Sequence, residues 1–313
     1  MTTATLKPVT RRQATEVRSP GRRRSLGRNL WWFVVPALVC YLYVVVIPAV
    51  QGIYMSFTDW SAYSRTRHLV GWENYRGLFD GLSGDALVRT VVVAAVTMAV
   101  QNVVGLLLAL ALNARVFGRN VLRTVIFAPV IVSPLVCGYL FKYIFAPPGI
   151  GAANDFLEAV GLEQLRQDWL GQPGTALAVV IVVICWQFVG VSMVVYLAGL
   201  QSVPAELLEA AALDGAGAGR RFWYVVRPLL APAVTINLML SLIGGLKIFD
   251  QIYATTQGGP AGQTETISTL IYKQFSQFGA YGESAALAVA LAVGVAILSL
   301  IQFMVLRRQE RKS

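Results

Sequence analysis

Charge is scarce in this chain, and residues that do chemistry are scarcer. Asp, Glu, Lys and Arg make up 13% of its 313 residues, and there is a single histidine. That histidine, His68, stands in a polar stretch with no histidine or cysteine near it, so it reads as a surface residue and not a metal ligand. Cys40, Cys137 and Cys185 fall inside apolar runs without metal-type spacing, which makes them small buried hydrophobes with no disulfide among them. No Ser/His/Asp or Cys/His set is present, so no catalytic residue and no metal site is assigned. No GxxxxGK[ST] pattern occurs either. The chain lacks that phosphate cradle and is expected to bind no ATP or other cofactor itself.

What the chain has in quantity is apolar sequence: 56% of residues are hydrophobic and the mean hydropathy is +0.60. A soluble fold of this size has no use for so many long apolar runs, so a bilayer is the expected solvent. Crossing the hydrocarbon takes about 20 apolar residues in a helix. Residues 30–53, 87–112, 122–145, 175–198, 229–254 and 284–306 meet that length, predicting an all-α membrane protein with six transmembrane helices. Pro36, Pro48, Pro129, Pro134 and Pro232 lie in or near these spans and predict kinks. The net charge of +10 is distributed as in a membrane protein and not as in a nucleic-acid binder. Residues 1–29, with Lys7 and seven arginines, read as a disordered basic cytoplasmic tail, and 307–313 as a short basic one. Together with Arg115, Arg119 and Arg123, and with Arg220, Arg221 and Arg227, the two tails hold 18 of the 26 basic residues. The positive-inside bias therefore puts both termini and residues 202–228 in the cytoplasm.

Residues 202–228 are polar and helix-forming where most of the chain is apolar. Ser202 can cap a helix with Pro204 in its first turn and Glu206 and Glu209 near its positive end. The helix is expected to stop at Asp214-Gly215, and a second short helix from Arg220 to Val225 to end as Pro228 turns into the next span. Glu209-Ala210-Ala211, Asp214-Gly215-Ala216, Phe222, Val225 and Pro228 resemble the EAA loop of ABC-importer permeases, with Arg227 departing from the aliphatic residue usual there. In that family the loop is a helix-turn-helix docked into a cleft of the cytoplasmic ATPase. The resemblance therefore assigns Glu209, Ala210, Ala211, Asp214, Gly215, Ala216, Phe222 and Pro228 to ATPase coupling.

A second set of residues narrows the resemblance. Phe249-Asp250, Thr256, Gly258-Gly259-Pro260, Thr264, Ile271-Tyr272 and Phe275 are similar to the "GGP" segment of carbohydrate-uptake permeases, the first permease subunit of maltose, multiple-sugar and glycerol-phosphate systems. Asn74-Tyr75, residues 151–157, Trp169-Leu170 and Trp186 extend the likeness, and Arg89 departs from it. The family implies a type I ABC importer permease in a prokaryotic inner or plasma membrane. It also implies as partners a second permease subunit, an ABC ATPase dimer that binds the ATP, an extracytoplasmic solute-binding protein and a sugar-like solute. Membrane lipid surrounds the spans, and nucleic acid has no part.

Uncharged polar residues within spans are either helix-helix glue or the lining of a solute path. Gln187 and Phe188 near the centre of the fourth span, and Asn237, Ser241, Gly244 and Gly245 on one face of the fifth, form the candidate path, and both readings stand for each of them. Lys247 and Asp250 are three residues apart and read as a local ion pair. The alternative, a relay in a proton-coupled secondary transporter, calls for charges deeper in the membrane.

Overall fold

The computed structural model describes residues 31–114 and 117–310. The basic tail at 1–29, Arg115 and the last three residues lie outside them. Among the described residues there is no β-strand, only an isolated antiparallel bridge between Thr58 and Leu69. The chain divides into two compact units, Met1–Gln51 and Gly52–Ser313.

The first span is a continuous rod made of α1 (Trp31–Tyr41), a π-helical turn (Leu42–Val46) and α2 (Ile47–Met55). No side chain from Val34 to Gln51 is buried within this unit, and the helix is apolar nearly all round, as a membrane span is. The π turn ends two residues before Pro48. A proline inside a helix removes one N–H and pushes on the carbonyl four residues back, and a widened turn relieves both faults.

In the second unit, α3 (Glu73–Arg76) precedes α4 (Gly81–Asn113), whose 33 residues span about 50 Å at 1.5 Å each, more than the hydrocarbon needs. Next come α5 (Arg119–Phe127), a 3-10 turn (Ala128–Ile131), α6 (Pro134–Ile144), α7 (Ala152–Ala159) and α8 (Pro173–Gln201). The remainder comprises α9 (Ala205–Leu213), α10 (Ala218–Arg221), a second π turn (Phe222–Val226), α11 (Arg227–Leu246), α12 (Asp250–Thr255), α13 (Ile267–Ser276) and α14 (Tyr281–Glu310).

Among the described residues five stretches are long and apolar enough to cross a membrane: Val34–Met55, Gly81–Asn113, Pro173–Gln201, Ala218–Leu246 and Tyr281–Arg308. The third expected span, 122–145, is not one rod. It is a pair of helices meeting at 98°. Ser133, with ψ of 133°, is non-helical because Pro134 disfavours helical backbone just before it, and Val132 beside it is extended with ψ of 135°. The fifth span also stops earlier than residue 254: α11 ends at Leu246, and Phe249 leaves the helical region with φ −135° and ψ −60°.

Small residues let the spans approach closely. A Cβ on Gly105 would lie 2.5 Å from that of Ser192, which sets the α4–α8 crossing, and one on Gly245 would lie 2.7 Å from Ala94 Cα, which sets α4–α11. Around these contacts Ala109, Leu112, Met193, Tyr196, Leu197, Leu200 and Leu230 form one core cluster, and Val93, Val180, Ile184, Ile248 and Ile252 another. The pairings make α4, α8 and α14 parallel and α11 antiparallel to them. Residues 202–226 therefore sit at one end of the bundle, and the segments before α4 and after α12 at the other.

Candidate transport path and coupling loop

The 202–226 segment is built as an exposed hook. Helix α9 has no buried residue. It closes with the amide of Ala216 donating to Ala211 O at 2.9 Å and that of Gly215 to Ala212 O at 3.1 Å, while Gly215 takes φ +77°. This is the paired bonding of a Schellman cap, and its left-handed residue has to be glycine or nearly so. Ser202 does not cap α9. Helix α8 runs on to Gln201, so the Ser202 hydroxyl donates to Gly199 O at 2.7 Å instead, and Pro204 occupies the position before α9. Nor does Pro228 end the second short helix. The π turn Phe222–Val226 admits it, as the first π turn admits Pro48, and α10 passes without a break into α11. Leu213 and Tyr224 are 90% and 80% exposed, and Arg227 lies 5.0 Å over the Trp223 ring. Glu209, Ala210, Asp214 and Gly215 are all exposed, with Ala211, Ala216, Phe222 and Pro228 half-buried beside them.

Between α4, α6, α8, α11 and the break before α12 lies a cavity of about 280 Å³. Phe188, Ser241, Gly244 and Gly245 line it, with Gln101, Ser192, Lys247, Asp250 and Gln251. Gln187 and Asn237 do not; both are enclosed in protein behind its wall. Asn237 belongs to a network centred on Asn102, whose Oδ1 accepts from Tyr196 Oη at 2.6 Å and from Asn237 Nδ2 at 2.9 Å. The Asn102 amide donates to Ser241 Oγ at 2.9 Å and to Met98 O at 2.7 Å. Three spans are thereby fastened through one side chain. Sequence reading passed over Asn102, although Gln101-Asn102 is the same kind of signal, polar side chains inside an apolar run, that singled out Gln187.

Lys247 and Asp250 both face the cavity but form no ion pair, because the end of α11 between them removes the helical register that would bring them together. Beyond the break Phe249 stacks on Tyr253 with ring centres 5.3 Å apart, and Tyr272 packs on both. The Tyr253 hydroxyl makes a long hydrogen bond to that of Tyr272, which raises the pKa of Tyr253 and lowers that of Tyr272.

The Gly258-Gly259-Pro260 turn has a cis Gly259–Pro260 bond and left-handed residues at Gln257, Gly258, Ala261 and Gly262. Thr264 Oγ1 donates to Gly259 O at 2.7 Å. Under the turn Glu265, 1% exposed, is paired with Lys273. A Cβ on Gly258 would lie 2.1 Å from Glu265 Oε2, so the glycine makes room for the carboxylate. Nothing in the sequence pattern marked this pair, since Glu265 lies before α13 and Lys273 within it, eight positions on.

His68 stays at the surface, 3.2 Å from Asp59, and the three cysteines are free, Cys137 and Cys185 buried as expected but Cys40 exposed on the first span. Among the described residues no group of His, Cys, Asp and Glu could hold a metal ion.

Residues 101–312 match the family described as binding-protein-dependent transport system inner membrane component. The multiple sugar-binding transport system permease protein MsmF of Streptococcus mutans is 33% identical over 283 residues, 90% of this chain and 96% of that protein. The lactose transport system permease protein LacF of Rhizobium radiobacter is 33% identical over 302 residues, 93% and 98% of the two chains. Among solved structures, a bacterial ABC transporter involved in the import of the acidic polysaccharide alginate superimposes with a TM-score of 0.78 at 24% identity, covering 90% of this chain and 96% of that one.

Proposed function

Since the chain belongs to the family of binding-protein-dependent transport system inner membrane components, and is thus a multi-pass, non-catalytic permease subunit of an ABC importer, we propose that it forms half of the path for a sugar or sugar-like solute. The observation that carries this reading is the pairing of a cavity at the α11–α12 break with an exposed hook at the other end of the bundle. About 280 Å³ lies just below the usual range for small-molecule sites, ~300–1,000 Å³, as expected of a half-site that a second permease completes. Ser241 and Gln101 offer hydroxyl and amide groups to sugar hydroxyls, and Phe188 an apolar ring face. Phe188, Ser241, Gly244 and Gly245 make the wall of the path, and Gln187 and Asn237 hold that wall from behind.

The hook is the contact with the ATPase dimer. Its Leu213 and Tyr224 are left largely uncovered by the described residues, and Glu209, Asp214 and the small residues between them let a partner's groove approach closely. On this reading the ATP is held by the ATPase, 202–226 and both termini face the cytoplasm, and an extracytoplasmic solute-binding protein delivers the sugar at the opposite end. Two relatives are named for multiple sugars and for lactose, which supports a carbohydrate, and family membership sets the proton-coupled alternative aside.

Gly215→Asp tests the docking role. At φ +77° a side chain costs about 1–2 kcal/mol and opens the cap. The variant is expected to insert normally, to retain little ATPase on affinity purification and to lose uptake of the sugar that most raises the melting temperature of the solute-binding protein. Full ATPase recovery together with normal uptake refutes the role.

A further inference from the structure

A bend of 98° between two helices leaves backbone groups that neither helix satisfies from within. Val132 sits at that bend, outside both helices. Its carbonyl accepts a hydrogen bond from Gln187 Nε2 at 2.9 Å, and Gln187 is the fifteenth residue of the 29-residue α8. The other end of the same amide accepts from Gln251 Nε2 at 2.7 Å, in the first turn of α12 just past the second break. Gln187 and Gln251 are 0% and 1% exposed, so no solvent competes for either bond. The amide has one arrangement here: its NH2 must face the carbonyl, which leaves its oxygen for Gln251. Close packing backs this up, since a Cβ on Gly138 of α6 would stand 2.5 Å from Ala254 Cβ and 3.2 Å from Gln251 O.

The geometry points to Gln187 and Gln251 as a positioning relay that ties the bend of the third span to the break before α12, so that the two move as one body. Gln251 and Asp250 line the cavity, so the relay fixes one wall of the solute path, and to that extent the inference rests on the reading of the cavity given above. Neither glutamine need touch ATP or the motor. They act by holding the wall in one of its arrangements, and losing them shifts the balance between arrangements.

The test uses the complete importer in lipid nanodiscs with Gln187→Met, which keeps length and volume without the amide, Gln251→Met and the double variant. Hydrogen exchange is followed in peptides covering 128–136 and 250–255. Gln187→Met is expected to speed exchange in both segments by about tenfold, the factor that loss of one buried hydrogen bond implies, with the double variant no faster than the single. Solute-independent ATP turnover is expected to rise with KM for ATP unchanged, a split that a general loss of folding does not produce. If Gln187→Met fails to assemble, Gln251→Met alone decides: faster exchange at 128–136 as well as 250–255 supports the relay, and a change confined to 250–255 overturns it. Additive effects in the double variant, or unchanged turnover in the single, also overturn it. None of these measurements needs the solute. Normal uptake by Gly244→Trp would refute the path without touching the relay, so the two readings can fail separately.

Discussion

Two neighbouring glycines in α11 make opposite predictions. A Cβ built on Gly244 meets nothing within 4 Å and points into the cavity. One built on Gly245 would stand 2.7 Å from Ala94 Cα and 3.1 Å from both Ala94 Cβ and Thr97 Oγ1. Gly244→Ala is therefore expected to stabilise the protein by up to about 1 kcal/mol, the helix-propensity difference, with uptake little changed. Gly245→Ala must push α11 off α4, and overpacking of this kind costs about 1–3 kcal/mol, so its melting temperature is expected to fall. Larger side chains at 244 act on transport instead of folding. Leucine adds four side-chain heavy atoms to that space and tryptophan ten, so the obstruction grows with the side chain. The cavity holds about 280 Å³. Gly244→Leu is then expected to reduce uptake of the sugar selected by the binding protein, and Gly244→Trp to abolish it, with membrane insertion and ATPase association intact. Uptake in proteoliposomes and thermal denaturation of the purified complex are the two assays. Normal uptake by Gly244→Trp, or a less stable Gly244→Ala beside an unaffected Gly245→Ala, would refute the reasoning.

Two further outcomes follow from the buried polar groups. Lys273→Met leaves the Glu265 carboxylate, 1% exposed, without its cation, and removing one member of a buried pair costs about 3–5 kcal/mol, so a marked drop in melting temperature is expected unless Glu265→Gln is introduced with it. Asn102→Ala strips the partner from both Tyr196 Oη and Asn237 Nδ2, and is expected to destabilise by more than Tyr196→Phe, which removes one hydrogen bond of about 1 kcal/mol. Equal losses for the two variants would show that Asn102 is not the centre of the network.

The hook was legible in the sequence because its signals are local. The cap at Gly215 depends on six consecutive residues, and both of its bonds fall where the Asp214-Gly215 pair predicts them. Ser202 and Pro228 misled for the opposite reason. Whether a serine starts one helix or ends another depends on how far α8 continues, and whether a proline stops a helix depends on whether the preceding turn can widen.

Length and hydropathy alone were enough to determine an all-helical membrane protein and where its apolar stretches fall, since a segment in lipid must satisfy its own backbone and needs a set number of residues to cross. They did not reveal that one of those stretches turns through 98°, because the bend at Val132 is tolerable only where Gln187, 55 residues away, reaches its carbonyl. Nor did they sort the polar residues of the spans. Helical spacing places Asn237 and Ser241 on a common face of α11, but which neighbour that face meets is settled by packing: there Asn102 encloses the first, and the second remains at the cavity.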